Sequence, residues 1–447
     1  MVSKNSVATS AALAVGLALG FGGAVRAADT KDSPKLPQAL FKYVAKPTPQ
    51  FQWTLRGTIK TELGTVYDLD LVSQKWQGIV WKHVLHVYEP KTVKHGKHVL
   101  LFVTGGSIGN RPGRGSIATG LKLAALCRAR VAMLYQVPNQ PLLGGRKEDD
   151  LITETWLRYL KTGDENWPLL FPMVNSAVKA MDAVEQLAKK EWKQPVEGFV
   201  VTGASKRGWT SWLTAAADKR IVATAPIVIN VLNFRPQMKH QIDTWGKYSE
   251  QIKDYTSKGL VKSITQEETP RDVKLRRMMD PYTYRKRLTM PKLLIHGTND
   301  RYWVVDAMNI YWDGLVGPKY VLQVPNAGHS LKGGRDGAFA TLAAFFQQVV
   351  TKSALPRVTW KHGDAGGQLQ LTMQARSDPK SARLWVAHSP TKDFRNARWK
   401  SKPVTLKEGR FTVRVPRPKQ GHVAVFGEIQ FEFAGVKYSL SSQIRRE

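Results

Sequence analysis

Between Val99 and Val349 the chain repeats one pattern: a short, continuously apolar run, then a stretch with hydrophobic residues at helical spacing. Val99–Val103, Val131–Tyr135, Gly198–Val201, Ile221–Ile229, Leu293–Ile295 and Tyr320–Val324 read as strands. Residues 117–127, 175–190, 209–217, 307–312 and 339–349 read as helices. Strands that are apolar on both faces must be covered on both faces, so the alternation predicts an α/β protein with a doubly wound, mostly parallel sheet. Upstream, 53–61, 65–71 and 79–88 alternate with period two and read as antiparallel strands. Polar, mostly helical sequence at 233–290 interrupts the pattern and reads as an insertion or lid. After Ser353 about seven short alternating runs separated by turn residues predict a small C-terminal β-sandwich.

The N-terminus reads as an address. Lys4 supplies a positive start, 11–23 is apolar, and Val25-Arg26-Ala27 offers small residues where a signal peptidase reads, so 1–27 is expected to be a signal peptide. The protein is therefore expected in the periplasm or outside the cell. Residues 28–50 carry four prolines and read as a lead-in linker. The remaining division is 51–352 for a catalytic domain and 353–447 for the β-sandwich domain.

Charge and cysteine content narrow the partners. The 67 Lys and Arg residues against 35 Asp and Glu give a formal charge of +32, which favours anionic envelope surfaces such as lipopolysaccharide or phospholipid. The cations are dispersed and no nucleic-acid-reading motif is present, so nucleic acid is not expected as a partner. The one cysteine, Cys127, cannot close an intramolecular disulfide, and no disulfide-linked partner is expected. HExxH, a P-loop and a dinucleotide fingerprint are absent, and His83 and His86, three apart on a strand, point to opposite faces. Neither a metal nor a cofactor is expected.

The chemistry centres on Phe199-Val-Val-Thr-Gly203-Ala204-Ser205-Lys206-Arg207-Gly208. An apolar strand runs into small residues, a serine and directly into a helix, the setting of a nucleophile elbow. Arg207 stands where the usual G-x-S-x-G pattern has its second glycine, and a slightly looser packing is expected there. A serine needs a base and the base an orienting acid. His329 and Asp300 each follow a predicted strand, and the order Ser205, Asp300, His329 is that of the α/β-hydrolase fold; Asp306 is the fallback acid. The amides of Gly106, in Thr104-Gly105-Gly106-Ser107, and of Lys206 are the expected oxyanion donors. The Lys206 side chain reads as an exposed helix lysine.

Four further residues are candidates for substrate contact. Asn139 and Gln140 lie in the stiff Val137-Pro-Asn-Gln-Pro segment after a strand. Glu148 and Asp149 open the next helix, where acids suit the helix dipole and could also capture a peptide's amino terminus. Of Trp156, Trp167, Trp209, Trp245, Trp303 and Trp312, most read as core and some as a cleft lining.

Residues 203–210, 137–142, the Glu148-Asp149-Asp150 triplet and the His296-Gly-Thr-Asn-Asp300 turn resemble the PhoPQ-activated pathogenicity-related protein family, from about Leu40 to the end of the chain. The resemblance implies an exported α/β-hydrolase-type protein linked in bacteria to virulence and to resistance to cationic peptides. The elbow is also similar, over a short stretch, to that of glucuronoyl esterases. The expected function is an exported serine hydrolase acting on an ester or amide of a small molecule or peptide. The alternative is a non-catalytic binding protein on the same scaffold, acting through its basic surface.

Overall fold

The structure, a computed structural model, describes residues 35–447 with the exception of Ser263. The signal-peptide segment 1–27 lies outside the described residues. Three antiparallel strands come first, β1 (Gln52–Thr61), β2 (Gly64–Trp76) and β3 (Ile79–Pro90). The apolar runs then form β4 (His98–Val103), β5 (Arg130–Leu134), β6 (Gly198–Ala204), β7 (Ile221–Ile227), β8 (Lys292–Gly297) and β9 (Lys319–Val324). All nine join one sheet in the order β1-β2-β3-β5-β4-β6-β7-β8-β9. From β5 to β9 every pairing is parallel. This order, with its exchange of β4 and β5 beside an antiparallel leader, is that of the α/β-hydrolase fold.

Burial explains why the strand sequences lack alternation. All of β5 and all of β8 are buried. One face is covered by the helices Arg114–Cys127 and Arg335–Val350, the other by Leu170–Leu187 and Lys206–Ala217. The short helix Ala39–Val44 in the lead-in buries Ala39, Leu40 and Tyr43 and packs on Leu170–Leu187.

Eight further strands follow: β10 (Val358–Ala365), β11 (Gln368–Ala375), β12 (Ser381–Ser389), β13 (Lys400–Val404), β14 (Arg410–Val415), β15 (His422–Phe433), β16 (Val436–Ser441) and β17 (Arg445–Arg446). They form a three-stranded sheet, β10-β11-β14, and a five-stranded sheet in which β12 and β15 are central. Residues 423–426 and 429–433 read from the sequence as two short runs; the structure joins them in β15, straight through Gly427. A side chain at Gly427 would meet the Met373 sulfur at 2.8 Å and the Phe411 ring at 2.9 Å, so the glycine marks close approach of the facing sheet and not a turn. β13 escapes sequence reading because it is an exposed edge whose Lys400, Lys402 and Pro403 discourage further pairing. One hydrophobic core continues from the main sheet through Phe345 and Phe346 to Leu371, Phe411, Ile429 and Phe431.

The insertion carries the helices Phe234–Trp245 and Pro270–Met279 among shorter turns. Its two ends meet at the buried Asp280 carboxylate. Asp280 accepts from the amides of Asn233 (3.1 Å) and Phe234 (3.0 Å) at the start and of Tyr282 (2.9 Å) at the finish.

Candidate active site

Sheet register brings the chemistry to one edge. Val103 pairs with Gly203, so Thr104-Gly105-Gly106 and Ala204-Ser205-Lys206 leave the sheet side by side. Ala204 pairs with Ile227 and Gly297 with Val324, which puts the loops bearing Asp300 and His329 at the same carboxyl end. In open α/β sheets, ligands bind at this carboxyl edge.

Ser205 is held in a conformation that few side chains adopt, with φ 58° and ψ −128°. A serine before a helix ordinarily turns its hydroxyl onto the first-turn amides. Here it makes no capping bond. The first-turn amide of Lys206 lies where the helix has no carbonyl for it, at the positive end of the dipole. The turn is this tight because Gly203 and Gly208 touch backbone. A Cβ on Gly203 would meet the Arg207 carbonyl oxygen at 2.7 Å, and one on Gly208 the Gly203 carbonyl oxygen at 2.9 Å.

Arg207 is accommodated by pairing and not by looser packing. Its guanidinium lies across Gly105, donates to the Val137 carbonyl (2.5 Å) and makes a two-pronged bridge to Glu148 (2.8 and 2.7 Å). Lys206 is likewise buried, contrary to the exposed lysine expected. Its ammonium lies 2.8 Å from Glu148 and 3.4 Å from Asp149. Glu148 also accepts from Gln140 Nε2 at 2.5 Å, and that same amide group donates to the Gly106 carbonyl at 3.2 Å. Burial works to raise the Glu148 pKa, but Arg207 and Lys206 outweigh it and hold the carboxyl far below the usual range. Glu148 thus ties the elbow to the glycine loop, a role beyond the helix dipole.

These contacts engage three of the expected substrate residues within the protein itself. Asn139 is buried and donates to the Lys82 carbonyl (2.5 Å), Gln140 is buried in the network just described, and the Glu148 oxygens are engaged within the protein. Asp149 alone of the four lines the cleft at Ser205.

Asp300 and His329 come together. Asp300 Oδ2 lies 2.8 Å from His329 Nδ1, while Oδ1 accepts from the Tyr302 amide at 2.9 Å. A carboxylate oxygen accepts, so Nδ1 is the donor in this pair and Nε2 is the ring nitrogen left to face the site. That Nε2 has no hydrogen-bond partner. Asp306 is committed elsewhere, 2.7 Å from His240 Nε2 and 2.9 Å from Arg446 Nε. The Tyr302 ring lies against the imidazole with centroids 4.2 Å apart, a contact that no motif in the sequence announces.

The cleft that contains Ser205 runs beneath the insertion. It holds about 980 Å³ of space that no atom fills, part of it continuous with solvent. Trp156, Trp209, Phe234, Met238 and Tyr302 contribute to its walls. Trp209 Nε1 donates to the Met279 carbonyl at 2.6 Å, fastening the elbow helix to the insertion. Among the described residues no group of His, Cys, Asp and Glu could hold a metal ion.

Residues 40–395 match the family described as PhoPQ-activated pathogenicity-related protein. Autocrine proliferation repressor protein A of Dictyostelium discoideum is 32% identical over 427 residues, covering 88% of this chain and 85% of that protein. Among solved structures, acetyl xylan esterase 1 from Thermoanaerobacterium sp. JW/SL YS485 has a TM-score of 0.47 at 18% identity, covering 70% of this chain and 94% of its own. An acetyl xylan esterase from Paenibacillus sp. R4 has a TM-score of 0.48 at 14% identity, covering 69% and 96%.

Proposed function

The chain belongs to the PhoPQ-activated pathogenicity-related protein family, and we propose that it is a serine hydrolase cleaving an ester or amide through an acyl-enzyme on Ser205. The observation that carries this reading is the strained, uncapped Ser205 at the same sheet edge as a His329 whose Nδ1 is held 2.8 Å from Asp300 Oδ2. Ser205 Oγ attacks the carbonyl carbon as its proton passes to His329 Nε2. The carbonyl oxygen becomes an oxyanion facing the amides of Lys206 and Gly106. His329 returns the proton to the leaving oxygen or nitrogen, and water, deprotonated by the same imidazole, releases the acyl group. Asp300 stabilises the imidazolium at both steps.

The wider setting is proposed on the sequence. The segment 1–27 directs the chain out of the cytoplasm, its substrate is a small molecule or peptide, and its place in virulence follows the family. The charge of +32 favours a second reading, a binding protein that meets anionic envelope surfaces. Fluorophosphonate labelling separates the two. The hydrolase reading expects labelling of the wild type that disappears in Ser205→Ala and falls steeply in His329→Ala. A folded wild-type protein that takes no label leaves the binding reading.

A further inference from the structure

Charge in the cleft wall decides what kind of group the cleft can take. Each charged residue lining it is already matched by another residue of the protein. Lys206 is paired with Glu148 and Asp149, the latter also accepting from the Tyr255 hydroxyl at 3.1 Å. Farther out, Lys262 is paired with Asp272 at 2.6 Å, and Glu268 with Arg276 at 2.7 Å and Arg235 at 3.3 Å. A substrate carboxylate or ammonium would have to break one of these pairs or be buried without a counter-charge, and either is costly. The indole N–H groups of Trp156 and Trp303, which line the wall without hydrogen-bond partners, are neutral.

What remains is apolar surface with an aromatic spine. Trp156 meets Trp209 edge to face with centroids 5.9 Å apart, and Trp209 meets Phe234 at 5.5 Å. Met238, Leu260 and Leu275, all from the insertion, add aliphatic wall. An anionic substrate would look to Lys206 and Arg207 for its counter-charge, and a peptide amine to residues 148–150. The two sets of charges neutralise each other, which removes the ground for both.

Building on the hydrolase reading, we propose that the cleft beneath the insertion is a binding site for a neutral, apolar acyl chain or side chain of the substrate, held next to the bond that Ser205 attacks. The specificity is set by the insertion and the elbow helix together.

The test uses alkyl phosphonofluoridates from methyl to octyl, with ω-carboxyalkyl and ω-aminoalkyl analogues of matching length. In each, Ser205 Oγ bonds to phosphorus, the P–F bond breaks, fluoride leaves and the hydroxyl proton passes to His329. The inactivation rate constant per probe concentration is expected to rise by about fourfold per methylene until the cleft is filled. The charged analogues are expected to react at least about thirtyfold more slowly than the alkyl probe of equal length. Met238→Trp, checked for native near-UV dichroism, is expected to cut the octyl-to-methyl ratio by about tenfold by filling the cleft. Rates independent of chain length, or faster with a charged probe, overturn this inference and leave the hydrolase reading standing. Absence of Ser205 labelling by every probe in the folded protein overturns the hydrolase reading and this inference with it.

Discussion

Arg207 stands where a serine-hydrolase elbow ordinarily has its second glycine, and its guanidinium binds Glu148 and the Val137 carbonyl. Arg207→Gly restores the common spelling of the motif yet is expected to destabilise the protein by about 2–3 kcal/mol, because buried acceptors lose a charged donor. Thermal denaturation of the two proteins measures it. The same scale separates the two candidate acids. Asp300→Asn is expected to lower kcat by about 10³–10⁴-fold through the wrong imidazole tautomer. Asp306→Asn, at a residue paired with His240 and Arg446, is expected to leave kcat within about threefold. Kinetics of both variants on a phenyl ester checks the pair. The placement of Ser205, Asp300 and His329 at one edge of the sheet was legible because order and strand-end position are properties of the sequence. Lys206 was not. Whether a lysine is buried depends on a carboxylate 58 positions away in the chain, and single-residue type does not reveal that pairing.

At the scale of elements, the parallel strands were legible because continuous apolar runs have one physical meaning once helices flank them on both sides. The failures were at β13 and β15. β13 is polar because it is an edge, and β15 contains Gly427 because a neighbouring sheet leans on it. Gly427→Ala forces the Met373 and Phe411 side chains to move and is expected to cost about 1–3 kcal/mol, read from the denaturant midpoint. The insertion has its own control. Burial, against three opposing backbone amides, lifts the Asp280 carboxyl from its usual 3.8 to about 6. A carboxyl whose pKa is higher in the folded chain contributes most to stability below its unfolded value, and that contribution is lost as pH rises through about 6. Asp280→Asn is therefore expected to abolish a fall in stability between about pH 4 and pH 6. It also leaves at least one of the three amides unmatched, at a cost of about 1–3 kcal/mol. Melting curves across that pH range, with hydrogen exchange at the Phe234 amide, report both effects.

Across the whole molecule, the formal charge of +32 is held by a fold whose buried charges at Ser205 are locally neutral. In the function proposed, surface charge and cleft answer to different partners. Sedimentation with vesicles containing anionic lipid is expected at low salt and is expected to disappear by about 0.5 M NaCl, where screening acts over only a few ångströms. Occupation of the cleft by a neutral probe is expected to be insensitive to that change. The meeting of the insertion's two ends at Asp280 bears on how such a protein can change over evolutionary time. A segment whose ends are clasped at one carboxylate is a closed handle, and the closure entropy of a handle grows only logarithmically with its length. Residues between Phe234 and Met279 are then open to replacement, lengthening or loss without moving a strand. In the function proposed, the part that selects what is held can diversify while the part that would cut stays fixed.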